Sequence, residues 1–218
     1  MKKLRSIIRK TISVVAFLFS ILAFSQDAIP SLKGKNIIYI YGGLKGHSPK
    51  ESVDFFVPKL KAEGANVKVF DNLKIYTDEK IMNETDLIIQ IFTLEKISNE
   101  EFKGLERAIF NGTGLAGWHG GLGDAFRDNL KYQFIVGGQF VSHPGGHIDH
   151  NIRVINNNDP ITKGVDDFNL KKTEQYYMLV DPNVKVLAVS KFEKDRYERP
   201  GKKENKVRAI KTFPISFA

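Results

Sequence analysis

Apolar runs that alternate with helical segments constrain the fold of this 218-residue chain more than any other feature. Four runs in the first half predict strands: residues 36–41 (NIIYIY), 66–70 (NVKVF), 86–92 (DLIIQIF) and 114–118 (GLAGW). Continuous apolar runs of this length are typical of strands that are buried on both faces of a parallel sheet. Two later runs predict further strands at residues 150–155 and 184–190.

Helix signals lie between these runs. Ser48 and Glu51 predict a capping box at the start of one helix, and Ser98 and Glu101 repeat the pattern further along the chain. A third helix is expected over residues 124–136. Because helices separate successive strands, the sequence predicts an α/β fold in which a mainly parallel sheet carries helices on both faces.

Residues 1–25 are typical of an export signal rather than of a folded domain. The basic start MKKLRSIIRK precedes the apolar stretch TISVVAFLFSILAF, which is short for a membrane span. Small residues predict cleavage near Ser25. We therefore expect a periplasmic or secreted protein with no stable membrane anchor after cleavage. The alternative is an uncleaved N-terminal anchor.

The net charge of +8 is concentrated at the two ends of the chain. Residues 1–25 hold five Lys/Arg and no acids, and the tail at 191–218 holds nine Lys/Arg and four acids. The predicted single domain at 26–190 is therefore slightly acidic, so we expect no nucleic-acid partner. The sequence contains no cysteine, which excludes disulfides, thiol catalysis and cysteine metal ligands.

Two of the five histidines follow glycine-rich segments at predicted strand ends. His47 ends YGGLKGH (41–47), and His119 lies in GWHGGLGDAF (117–126). Open parallel sheets bind ligands beyond the carboxyl ends of their strands. If the strand order is flavodoxin-like, one strand separates the two loops, which places them roughly 10 Å apart.

His119 is expected at the apex of a strand–turn–helix elbow. There it could act as a general base or acid, or as a metal ligand, whereas the alternative is a structural turn. Trp118 could stack on a sugar ring or pack in the core. The candidate substrate-binding residues of both loops are Gly42, Gly43, His47, Trp118, Gly120 and Gly121.

A third glycine-rich segment, GGQFVSHPGGH (137–147), carries His143 beside a proline. The rigid setting makes His143 a candidate catalytic residue. His47, His119 and His143 are also candidate ligands for a divalent metal such as zinc, because neutral imidazole suits that ion. His147 and His150 are expected in loops that face solvent.

The segment TEQYYMLVDP (173–182) offers Glu174 and Tyr176. Residues at i and i+2 project to one side of a strand, where the two side chains could orient a sugar hydroxyl or hold a histidine tautomer. The alternative is ordinary strand surface with aromatic core packing.

Three of these segments, GWHGG, VGGQFVSHP and TEQYYMLVDPNVKVL, resemble the ThuA-like (trehalose utilisation) family in order and spacing. The resemblance covers residues 36–190. It implies a flavodoxin-like, three-layer sandwich similar to the class I glutamine amidotransferases. The elbow of those enzymes carries a cysteine, where this chain has His119 at or beside the position, so glutaminase activity is not implied.

The resemblance implies a role in carbohydrate metabolism, with a small-molecule sugar or keto-sugar as partner. It marks His119, His143, Glu174 and Tyr176 as catalytic candidates for proton transfer of the hydrolase, isomerase or lyase type. The tail at 191–218 departs from the family pattern. The alternative is therefore a non-catalytic carbohydrate-binding or accessory module, or a truncated, inactive homologue.

Overall fold

The computed structural model describes residues 31–192 and the backbone of residues 213–215. The predicted export signal at 1–25 lies outside the described residues, as does most of the predicted tail at 191–218. Within the described part of the chain, no helix has both the length and the apolar character needed to cross a membrane.

A four-stranded parallel sheet forms the centre of the fold. Its strands are β1 (Asn36–Gly43), β2 (Asn66–Phe70), β3 (Leu87–Thr93) and β4 (Gly114–Ala116). They lie in the order β2-β1-β3-β4, and every neighbouring pair is parallel. The α/β fold with its parallel sheet is confirmed, and β3 separates β1 from β4.

The helices are short except for two. They are α1 (Pro49–Ala62), α2 (Glu79–Glu84), α3 (Asn99–Phe110), α4 (Gly120–Gly123) and α5 (Leu130–Val136). Two 3-10 turns lie at Lys45–His47 and Leu73–Thr77.

Side chains of β1 alternate between two hydrophobic layers, because successive residues of a strand point to opposite faces. Ile37 and Tyr39 pack in the layer that contains residues of α1. Ile38 packs in the other layer, together with residues of α3. This double burial explains why the strands carry uninterrupted apolar runs.

The second half of the described chain is mainly antiparallel. Its strands are β5 (Gly138–Ser142), β6 (His147–Val154), β7 (Phe168–Glu174), β8 (Tyr177–Val180), β9 (Ala188–Ser190) and β10 (Phe213–Ile215). β5 pairs with β8, and a separate four-stranded sheet has the order β10-β9-β6-β7. The strand predicted at 184–190 begins only at Ala188.

The single helix predicted over 124–136 is wrong. The chain forms α4 before this range and α5 at its end, with turns between them. Phe126 has a φ of 46°, which a right-handed helix cannot accommodate. Asn129 then starts α5 afresh, since its side chain accepts a hydrogen bond from the Tyr132 N–H.

The two predicted capping boxes have different outcomes. Ser98 and Glu101 form both reciprocal hydrogen bonds at the start of α3, as predicted. Ser48 makes no side-chain cap at α1, so that capping box is wrong. The reason is conformational: Ser48 is left-handed, with φ 50°, because it closes the preceding 3-10 turn through its N–H to Lys45 O.

Candidate functional site

The glycine-rich loop after β1 places His47 against the end of β3. Gly43 has φ +75°, and a Cβ there would lie 2.1 Å from Thr93 O. A Cβ on Gly42 would approach the ring of Phe92 to 2.5 Å. The following 3-10 turn puts His47 Nδ1 3.1 Å from Thr93 Oγ1. Both glycines therefore permit the close backbone approach that positions His47.

His119 occupies the apex of the elbow between β4 and α4, with φ 53° and ψ −146°. The next two residues, Gly120 and Gly121, are buried. A Cβ on Gly120 would lie 2.9 Å from His47 Cε1, and one on Gly121 would lie 2.6 Å from Ile91 Cα. This tight packing brings the imidazole rings of His47 and His119 to a centroid separation of 4.7 Å.

The Glu174 carboxylate lies between two imidazoles. Its Oε2 is 3.2 Å from His119 Nε2, and its Oε1 is 3.3 Å from His143 Nε2. The side chain of Glu174 is 18% exposed, whereas those of His119 and His143 are 43% and 40% exposed. The carboxylate is thus largely enclosed while both imidazoles stay open to a ligand.

Tyr176 contacts the other nitrogen of the same imidazole, with its hydroxyl 3.0 Å from His119 Nδ1. Glu174 is the last residue of β7, and Tyr176 lies in the break before β8. The prediction that one strand projects both residues to one side is therefore wrong. Both side chains nevertheless reach His119, and the Phe140 ring packs 4.3 Å from that of Tyr176.

Burial and neighbouring charge displace two pKa values in this cluster. Desolvation and then the proximity of His47 lower the pKa of His119, against the opposing effect of Glu174. Desolvation and then Glu174 raise the pKa of Tyr176 far above its ordinary value. At neutral pH the geometry therefore favours a neutral His119 and a protonated Tyr176.

The contact with Glu174 fixes which ring nitrogen of His143 carries the proton. Its Nδ1 is buried and has no hydrogen-bond partner, while its Nε2 faces the carboxylate. A buried N–H without an acceptor costs about 1–3 kcal/mol, so the proton belongs on Nε2. The Nε2–H of His143 therefore donates to Glu174, and the ring of His143 stacks on that of Phe140 at a centroid separation of 6.0 Å.

Three of the described residues could hold a metal ion. His47, His119 and Glu174 each offer a ligand atom, and these atoms lie within 4.8 Å of one another. Thr93 and Tyr176 contact the Nδ1 atoms of the two imidazoles, so an ion would take the Nε2 atoms, and at His119 it would replace the proton that faces Glu174. Two imidazoles and a carboxylate suit zinc. The sequence suggested His143 in place of Glu174; in the structure His143 contacts Glu174.

Trp118, which precedes His119, packs against aromatic side chains of α1 and β1. Its ring packs 4.5 Å from Phe56 of α1 and 6.4 Å from the buried Tyr39. It remains 37% exposed.

The last two histidines belong to β6 rather than to loops, so that part of the prediction is wrong. His147 is exposed and pairs with Glu174 in the ladder between β6 and β7. His150 is half-buried, and its Nδ1 contacts Ile148 O at 3.4 Å.

Sequence reasoning missed four residues that support the site. Thr93 is buried against His47, and Phe140 packs between Tyr176 and His143. The buried Asp124 forms an ion pair with Arg127, whose guanidinium lies 5.6 Å from the Phe140 ring centroid. The i, i+3 spacing of Asp124 and Arg127 was the only signal in the sequence for this group.

A sequence profile described as ThuA, trehalose utilisation, matches residues 37–217. The chain belongs to the ThuA family. The match extends past residue 190, where the sequence predicted the end of the domain, through most of the charged tail. Membership relates the protein to trehalose utilisation without specifying its reaction.

Solved structures of ThuA-like proteins share the fold. One from Bacteroides uniformis has a TM-score of 0.66 at 20% identity, covering 86% of this chain and 79% of that chain. Another from Parabacteroides merdae has a TM-score of 0.59 at 13% identity, covering 75% of this chain and 71% of that chain. A comparison with curated proteins finds no match.

Proposed function

We propose that this ThuA-family protein is an exported enzyme that acts on a sugar or keto-sugar by histidine-mediated proton transfer. One observation carries the proposal: the enclosed Glu174 carboxylate contacts His119 and His143, while Tyr176 contacts the second nitrogen of His119. A base, a group that orients it and a hydrogen-bond donor are thus within reach of one another.

His119 is the general base in this proposal. Glu174 accepts from Nε2–H and fixes the tautomer, so Nδ1 carries the lone pair. When Nδ1 takes a proton from the substrate, the adjacent carboxylate stabilises the imidazolium. The lowered pKa of His119 keeps it unprotonated, and therefore competent as a base, at neutral pH.

Tyr176 acts as a hydrogen-bond donor rather than as a base. Its raised pKa keeps the hydroxyl protonated. As the substrate displaces the hydroxyl from His119 Nδ1, the O–H can turn to a substrate oxygen on which negative charge develops. His143 supports this arrangement indirectly, because its Nε2–H holds the second oxygen of Glu174.

A divalent cation such as zinc fits the donor set of His47, His119 and Glu174. Bound there, it would supply Lewis-acid polarisation of a carbonyl or hydroxyl oxygen. With His119 Nε2 on the ion, Nδ1 would carry the ring proton, so the metal is an alternative to base catalysis by His119 and not an addition to it. Hydrolysis, isomerisation and elimination on a keto-sugar all begin with proton movements that these residues can support.

The test is to incubate the full-length chain, purified with and without added zinc, with a panel of disaccharides and their 3-keto derivatives. Product formation is followed by mass spectrometry and NMR. We expect conversion of at least one compound and a loss of about 10²–10⁴-fold in His119→Ala. Unchanged turnover in both His119→Ala and His143→Ala contradicts the assignment. Tight binding without conversion favours the accessory-module alternative.

A further inference from the structure

Three aromatic side chains form one exposed surface that includes Trp118, the residue before His119. The ring centroid of Trp118 lies 4.5 Å from that of Phe56, which lies 4.9 Å from that of Phe55. Trp118, Phe56 and Phe55 are 37%, 36% and 58% exposed. We call these three residues the aromatic platform. Tyr39 packs edge-on to Trp118 from the core and helps to fix its ring.

The aromatic platform is continuous in sequence with the candidate catalytic site. Trp118 is peptide-bonded to His119, and Phe56 lies on α1, which begins two residues after His47. The two segments that bring the imidazoles together therefore also bring the aromatic rings together. A ligand of two rings held at His119 therefore has the Trp118 ring as its nearest member of the platform along the chain.

Isolated exposed apolar side chains are ordinary on protein surfaces, but contiguous ones beside polar groups mark ligand sites. Among the described residues, no cation is placed over the ring of Trp118 or Phe56, so both present flat apolar faces. Lys59 Nζ lies 4.7 Å from the Phe55 ring centroid, so it covers one face of that ring. Phe56 and Trp118 are accordingly the principal contact surface.

We propose that the aromatic platform binds the second ring of a disaccharide or glycoside whose first ring reacts at His119. A pyranose presents axial C–H groups on its faces and hydroxyl groups around its edge. Its faces therefore match flat aromatic rings, while its edge stays hydrated. This inference rests on the proposed function, and it specifies a substrate of two or more rings rather than a free monosaccharide.

Trp118 is the only tryptophan in the chain, so its fluorescence reports on the platform and on the adjoining His119. The full-length Glu174→Gln variant, chosen to bind without turnover, is titrated with trehalose and with glucose. We expect trehalose to change the emission saturably and to bind at least 10-fold more tightly than glucose. Calorimetry then compares Trp118→Ala and Trp118→Phe in the same background. Trehalose affinity should fall about 10-fold in the first and be largely kept in the second, with glucose affinity unchanged in both.

Phe110→Ala is the matched control, because it removes a 78% exposed phenylalanine from the end of α3. It should leave the affinity for trehalose unchanged. The platform is overturned, and the proposed function is not, if trehalose binds without changing the Trp118 emission and Trp118→Ala leaves the affinity for trehalose unaltered. Emission that acrylamide cannot quench also overturns it, because another segment or a second copy then covers the rings. Trehalose binding that depends on Trp118, without conversion by the wild-type chain, supports the platform as a sugar-binding surface and defeats the proposed enzyme.

Discussion

The hydroxyl of Tyr176 lies 3.0 Å from Nδ1 of His119, across the imidazole from the nitrogen that faces Glu174. Replacing Tyr176 with phenylalanine removes this donor and keeps the ring that packs on Phe140. We expect kcat to fall about 10- to 100-fold with little change in KM, because the donor acts mainly as charge develops. Steady-state kinetics on the converted substrate, with a thermal melt to confirm an intact fold, checks this. A rise in KM at constant kcat would contradict the role.

The lowered pKa of His119 predicts how stability depends on pH. Burial keeps His119 neutral in the folded chain below the ordinary value of 6.5, so the unfolded chain binds more protons in that range. The contribution of His119 to the free energy of unfolding should therefore be fully present above pH 6.5 and fall as the pH drops towards the pKa of His119 in the folded chain. Urea unfolding of the metal-free protein between pH 7.5 and 5 measures the slope, and His119→Gln should flatten it. A slope that is equal in wild type and variant would show that other groups dominate.

Gly43 offers a direct test of the loop that carries His47. Gly43→Ala places a Cβ 2.1 Å from Thr93 O at a φ of +75°. We expect a loss of about 2–4 kcal/mol in the free energy of unfolding, from strain and overpacking together. Gly46→Ala is the matched control in the same loop, since a Cβ there meets nothing within 4 Å. Denaturant unfolding of the two variants should differ clearly, and equal midpoints would refute the packing argument.

The buried Gln90 links the core to the elbow. Its side chain accepts from Tyr76 Oη at 2.7 Å and donates to Tyr132 Oη at 2.7 Å and to Gly121 O at 3.2 Å. Gln90→Leu removes the partner of Tyr76 Oη and of Gly121 O, while Tyr132 Oη keeps its bond to Leu122 O, and the loss should cost about 3 kcal/mol. Adding Tyr76→Phe removes one orphaned hydroxyl and should recover part of the loss. A double-mutant cycle by urea unfolding tests this, and strictly additive losses would contradict the coupling.

Zinc should bind the chain at one site if His47, His119 and Glu174 act as a donor set. Calorimetry should give a stoichiometry near one, and His47→Ala or Glu174→Gln should weaken binding by about 10-fold or more. His150→Ala is the control, because His150 lies in β6 and contacts a backbone carbonyl. Zinc affinity that His150→Ala reduces as strongly as His47→Ala would place the ion elsewhere.

The parallel sheet could be predicted from local sequence because burial on both faces requires long apolar strands. The Ser98–Glu101 capping box at α3 could also be predicted, because both of its hydrogen bonds lie within four residues. Local patterns failed where contacts outside the motif set the backbone conformation. Ser48 takes a left-handed conformation to close the 3-10 turn, and Phe126 interrupts the helix expected over 124–136.

The sequence by itself determined which imidazoles stand at the carboxyl ends of β1 and β4, because strand direction and glycine-rich turns are local properties. Only the tertiary structure decided that Glu174, from the antiparallel half, lies between His119 and His143. Glu174 is 55 positions from His119 and 31 from His143, and they meet through sheet pairing and loop packing. Such contacts depend on the whole fold, which no spacing along the chain encodes.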